Sequence, residues 1–214
     1  MLKKVFSTFL MAVMILAFSN SQAQAAAGDV SVILDTPAGW FSEPETVYAT
    51  VQESLDKIFK GTSFNVKSVS ECDAYVQIYR EENNLAGSYD NSYGSDAARD
   101  LTFKKEDISK MCNHFGDDNL VYIRVMTTGA RSTSGVFTSG QKINVVLDFR
   151  IWSREKGDFS YMARKTTTGK SNTVNITAFG SGSGSAEHAV AKGLKKGLQE
   201  VEKDRSKILS AMEA

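Results

Sequence analysis

The chain has 214 residues, with 25 basic side chains balanced by 25 acidic ones and 42% hydrophobic residues. Charge this even excludes a binder of nucleic acid or anionic membrane that relies on bulk charge. Two cysteines are too few for a disulfide scaffold, and the length suits one domain with a full core.

The first element reads as a leader. Lys3 and Lys4 precede an apolar run from Val5 to Phe18, broken only by Ser7 and Thr8, and a small polar stretch continues to Ala27. Ala23-Gln24-Ala25 and Ala25-Ala26-Ala27 both put small side chains where a signal peptidase needs them, predicting cleavage after Ala25 or Ala27. The run is shorter than the roughly 20 residues that cross a bilayer. No cysteine near the cut could carry a lipid, since the first is Cys72. Residues 1–27 are therefore expected to be a cleavable signal peptide and residues 28–214 a single domain. That domain would be exported to the periplasm or secreted, with no stable membrane insertion. Losing Lys3 and Lys4 from the 25 basic residues leaves it two short of the 25 acidic ones.

Asp29 to Asp35 alternates as a strand does, and Thr36-Pro-Ala-Gly39 turns the chain. Ser42-Glu43-Pro44-Glu45 is a helix start with a capping box and an early proline. Val47, Val51, Leu55, Ile58 and Phe59 then recur at helical spacing until Gly61. Phe64 to Val69 reads as a second strand. Ser70, with Asp73 three residues on, predicts a cap for a short helix whose inner face is Ala74, Tyr75, Ile78 and Tyr79, ending near Asn83. Leu85 to Arg99 is Gly-, Ser- and Asn-rich, the longest predicted loop. A third helix from Thr102 buries Ile108, Met111, Cys112 and Phe115 and stops at Gly116.

The second half is mostly sheet, with strands over Leu120–Met126, Ile143–Trp152 and Phe159–Thr167. Glu155-Lys-Gly-Asp158 supplies the last turn. By the period of two, Ile143, Val145, Leu147, Phe149 and Ile151 share one face, and Asn144, Asp148, Arg150 and Trp152 the other. A long helix from Ser185 carries Glu187 in its first turn and a stripe of Val190, Leu194, Leu198, Val201, Ile208 and Leu209. The order is β-α-β-α-α-β-β-β-α. It predicts a mixed α/β fold, a three-layer-like single domain with a sheet of about five strands packed by helices.

Chemistry-bearing patterns are sparse. His114 and His188 lie in no catalytic motif, and Cys112 and His114 point to different sides of a helix. No Gly-x-Ser-x-Gly elbow or His-Glu-x-x-His occurs. Gly180-Ser-Gly-Ser-Gly184-Ser185 lacks the spacing of a phosphate-binding loop. Asp90, Asp96 and Asp100 lack the EF-hand pattern. No catalytic residue, metal ligand or cofactor is assigned. Cys72 and Cys112 are either one disulfide, which an exporting route permits, or two half-buried thiols.

Two interaction surfaces stand out. Arg124, Arg150 and Arg164 fall on the polar registers of the strands, with Asp148 and Trp152 nearby. They form either an exposed Arg/Trp patch of interface type or a set paired by Asp148 under a helix. Tyr89 and Tyr93 sit among glycines and serines, as in a binding loop or an ordinary surface loop.

LTFKKEDISKMCNHFGDDNLVYIRV resembles the helix-then-strand unit of several bacterial periplasmic domains. INVVLDFRIWSREKGDFSYMARKTTTG is similar to the strand pair that follows it there, and a long helix closes the chain. The families are the amino-terminal domain of the Tol-system propeller protein, the periplasmic domain of the curli secretion channel lipoprotein, and the penicillin-binding-protein activator lipoproteins. The resemblance spans about Asp29 to Arg205. It implies a bacterial source and a non-enzymatic envelope-assembly or accessory role with an envelope protein as partner. It carries over no functional residue, and the missing lipidation cysteine departs from the two lipoprotein families. A eukaryotic secretory route would make Asn175-Ile-Thr177 a glycosylation acceptor. The alternative function is a secreted enzyme or small-ligand carrier using the Tyr89–Asp100 loop, with Asp90 or Asp96 as its carboxylate.

Overall fold

The computed structural model describes residues 28–36, 44–85, 103–134, 138–174 and 186–213. The leader with Ala25 and Ala27, the loop residues Tyr89, Asp90, Tyr93, Asp96 and Asp100, the Gly180–Ser185 run and Asn175-Ile-Thr177 lie outside the described residues.

Strand β1 (Asp29–Asp35) leads to helix α1 (Pro44–Phe59), strand β2 (Asn65–Val66), helix α2 (Val69–Glu82) and helix α3 (Lys105–Phe115). Three long strands follow, β3 (Asn119–Ser134), β4 (Thr138–Ser153) and β5 (Asp158–Val174), and then helices α4 (Ala186–Glu202) and α5 (Arg205–Glu213). The five strands form one mixed sheet in the order β2-β1-β3-β4-β5, with β1 parallel to β2 and β3, and β3, β4 and β5 antiparallel. The expected mixed α/β domain is what the chain builds.

Period-two alternation divides the core between the two faces. Val30, Val32, Leu34, Val121, Ile123, Val145, Leu147 and Phe149 pack against α1, α4 and α5. Ile33, Leu120, Tyr122 and Trp152 pack against α2 and α3. Strand β1, between β2 and β3, is buried on both faces, which its run of β-branched residues suits. Helix α1 buries the five residues expected of it, and Gly61 follows it at φ 75, a conformation open to glycine. Gly116 ends α3 the same way, donating its N–H to Cys112 O at 3.1 Å.

Close approach rather than turn geometry explains three other glycines. Helix α4 crosses β4 and β5 so tightly that a Cβ on Gly169 would overlap the Ala189 carbonyl, and one on Gly193 would run into Val145. One on Gly197 would reach Leu147 Cδ2 at 3.1 Å. Thr167 Oγ1 donates to Gly193 O at 2.6 Å across this seam.

Strands β3, β4 and β5 all run beyond the expected Leu120–Met126, Ile143–Trp152 and Phe159–Thr167, and four other elements differ from the sequence reading. The second strand is two residues long, because Ser68 already begins the turn into α2, where Gln52 Oε1 accepts the Val69 N–H at 3.0 Å. Ser70 is therefore inside the helix rather than at its cap. The buried face of α2 is Val69, Cys72, Asp73, Val76, Tyr79 and Arg80, while Ile78 is 51% exposed. Two polar residues belong to that face because each has a partner across it: Asp73 accepts Tyr48 Oη at 2.6 Å, and Arg80 pairs with Asp35. Phe115 is only partly buried.

The last helix is two helices. Asp204 Oδ2 takes Lys165 Nζ of β5 at 2.6 Å, and Arg205 donates to Ile58 O at 2.7 Å and Lys60 O at 2.6 Å. Holding both residues at once turns the chain between Glu202 and Arg205. The guanidinium also places a cation on the carbonyl end of α1, where the helix dipole favours one.

Candidate functional site: a charged row across the sheet

The strand registers bring Asp35, Arg124, Asp148 and Arg164 side by side across β1, β3, β4 and β5. Charges thus alternate along one row, the arrangement that stabilises cross-strand pairs. The next row is Ile33, Tyr122, Arg150 and Met162, and the one beyond it aligns Ser31, Leu120, Trp152 and Phe159. Towards β1 these rows lie under α2 and α3, and at β5 the first two end in the exposed Arg164 and Met162.

At the buried end, Asp35 accepts Arg80 Nη2 at 2.5 Å and Tyr122 Oη at 2.6 Å, with Arg124 Nε 3.8 Å away. Arg80 is itself buried, its guanidinium 4.1 Å from the Phe103 ring centroid. Burial and the neighbouring Asp35 charge both push the Tyr122 phenol far up, so it stays a neutral donor to the carboxylate.

At the open end, Arg164 grips Asp148 with two hydrogen bonds, Nε to Oδ1 at 2.6 Å and Nη2 to Oδ2 at 2.9 Å. Arg150 Nη2 reaches the same Oδ2 at 3.3 Å, and its guanidinium lies over Phe159 and Tyr122, 5.1 and 5.8 Å from the centroids. Burial alone would raise the Asp148 pKa, but Arg164 and then Arg150 outweigh it and hold the carboxyl below its ordinary value. The Asp148 side chain is 3% exposed and that of Arg164 64%. Met162, two residues before Arg164, is 65% exposed.

The three arginines named from sequence do share one face, but as parts of a paired row rather than a bare patch. Trp152 is removed from that surface: it is 2% exposed and packs edge-on against Phe159 at 5.3 Å, because α2 and α3 cover its end of β4. Asp35, Arg80 and Tyr122 were not foreseen. The available signal was an aspartate closing an otherwise apolar strand, which needs a buried cation or donor. Tyr89 and Tyr93 lie outside the described residues.

The bridge between Cys72 and Cys112 is not formed, and both are free, buried thiols. Cys112 Sγ instead donates to Asp117 O at 3.4 Å, and burial raises its pKa to about 11. Burial likewise raises that of Cys72. Nearby, Asp117 accepts from buried Ser31 and pairs with Lys67 Nζ at 2.6 Å. Those contacts tie β1 to the segments flanking β2 and β3. His114 lies flat on Tyr75, centroids 3.6 Å apart. Among the described residues no three His, Cys, Asp or Glu side chains are grouped to hold a metal ion. No described helix is long and apolar enough to cross a membrane.

No protein-family model and no curated protein matches the sequence. Among solved structures, the chain is similar to lipoprotein GNA1162 from Neisseria meningitidis, at 12% identity and a TM-score of 0.38, over 86% of this chain and 99% of that one. It is similar to the hypothetical protein CT253 from Chlamydia trachomatis at 8% identity and a TM-score of 0.38, over 86% and 98% of the two chains. The LpoB C-terminal domain from Salmonella enterica matches at 10% identity and a TM-score of 0.30, over 65% of this chain and 82% of that domain.

Proposed function

We propose that the protein is an exported, non-catalytic accessory of the bacterial cell envelope that binds an envelope protein through the open end of the charged row. Arg150 and Arg164 share the single carboxylate of Asp148 and face outward beside the exposed Met162. That sharing carries the reading. Two guanidiniums on one carboxylate leave a positive charge and unused N–H donors, next to an apolar side chain of the soft type favoured at contact surfaces. The leader motivates export, and the absence of any motif for nucleophilic or metal chemistry motivates a binding role.

The test compares residues 28–214 with the Arg150→Glu/Met162→Ser double variant as baits in a membrane and periplasmic extract, after thermal melting shows both are folded. One identified envelope protein retained by the first and lost by the second is the expected result. Equal retention by both, or no specific protein with either, overturns the reading.

A further inference from the structure

Strand β5 is an edge strand of 17 residues that pairs only with β4 among the described residues, so alternate backbone N–H and C=O groups point away from the sheet. Helix α4 runs along this edge on the opposite side from the charged row. Between them lies an open groove of about 480 Å³, lined by Arg164, Lys165, Thr166, Lys196, Gln199 and Glu200. An edge strand beside a helix is the geometry that accepts an extended peptide as an additional strand, with backbone bonds giving affinity and alternate side-chain seats giving choice.

We infer that β5 receives an extended segment of the partner by strand addition, and that this segment carries an apolar and an acidic residue two positions apart. The inference rests on the binding role proposed above and specifies its geometry. Met162 and Arg164 are two apart on the same face of β5, since Arg150 and Asp148 oppose them on β4. A strand laid on the open edge sets its own side chains directly opposite these, one wanting apolar contact and the other a carboxylate. Arg164 spends Nε and Nη2 on Asp148, and its remaining N–H groups are free to take a second acid. On the groove side Glu200 pairs with Lys203 at 2.6 Å, Lys196 donates to Thr168 O at 3.1 Å, and Lys165 is neutralised by Asp204.

Charge also selects between occupants. A second copy of β5 would bring Arg164 and Lys170, which share a face, against the same two cations, an arrangement that like-charge repulsion opposes. An acidic strand from another protein is the complement.

The probes are short synthetic peptides alternating threonine with valine and glutamate, the same peptides with lysine for glutamate, and the glutamate peptides with alternate backbone nitrogens methylated. Binding to residues 28–214 is followed by fluorescence anisotropy, and the contact is located by amide hydrogen exchange. The glutamate peptide is expected to bind and to slow exchange in Met162–Thr168. The lysine and N-methyl versions should each bind about tenfold more weakly or worse, a loss of about 1.4 kcal/mol. Arg164→Glu should reverse the preference between glutamate and lysine peptides, while the N-methyl comparison needs no variant and is untouched by any folding defect. Undiminished binding of the N-methyl peptide, protection away from β5, self-association through β5, or no binding by any peptide overturns the inference. A partner lost by Arg150→Glu/Met162→Ser with no response to these peptides would leave the proposed function standing and remove strand addition alone.

Discussion

The two faces of the sheet are built on different principles. The face under α1, α4 and α5 is mostly hydrocarbon, closed so tightly that Gly169 and Gly193 have no room for a methyl group. The face under α2 and α3 gives part of its area to an alternating row of acids and bases, anchored by the buried pair of Asp35 and Arg80. Shape complementarity makes the first face rigid and intolerant of added volume. On the second face the buried charge of Asp35 depends on particular partners, so its loss costs far more than the loss of an exposed charge at the rim.

That contrast yields graded expectations. Asp35→Ala should be the most damaging change, because it removes the interior carboxylate that Arg80 and Tyr122 share; removal of one partner of a buried ion pair costs about 3–5 kcal/mol. Urea unfolding checks it, and a loss under about 1 kcal/mol would show that water replaces the carboxylate. Gly169→Ala should cost about 1–3 kcal/mol by overpacking. An unchanged midpoint in the same measurement would show that α4 can lift off the sheet, erasing the distinction between the faces.

Acid should act on the charged face first. The Asp148 pKa is lowered in the folded state, so its contribution is full above the ordinary carboxylate pKa of about 3.9 and is lost as pH falls through the lower folded value. Stability measured from pH 6 downward should therefore decline less steeply in Asp148→Asn than in the parent; parallel curves would contradict the pairing. The smallest effect belongs to Arg164→Gln. Its exposed guanidinium is screened by water, and melting should register a loss of less than about 1 kcal/mol.

Much of this division can be read from residue spacing. Val47, Val51 and Leu55 on α1, the odd-numbered residues of β4, and Val190, Leu194 and Leu198 on α4 all sit where their periodicity puts them, because one uninterrupted apolar face admits one solution. The α2 face was not legible in the same way. Ala74, Tyr75, Ile78 and Tyr79 form one apolar stripe and Cys72, Val76 and Tyr79 another. The choice falls to Arg80 and Asp73, whose partners are remote in sequence. The charged row has the same character. Alternation puts Arg124, Asp148 and Arg164 on one face, but only the strand order sets Asp35 beside them and covers Trp152. The division of the last helix follows Asp204 and Arg205, again through contacts to β5 and α1 that no local pattern announces.

The Arg205 clamp on the end of α1 bears on when the domain can become complete. Residue 205 closes an element that ends at residue 59, and Ile208 and Met212 fill the same core as Val51 and Leu55. The opening strand and helix thus emerge long before their cover exists. Until the final helices have been made, the chain exposes apolar surface from its first quarter and cannot finish its fold.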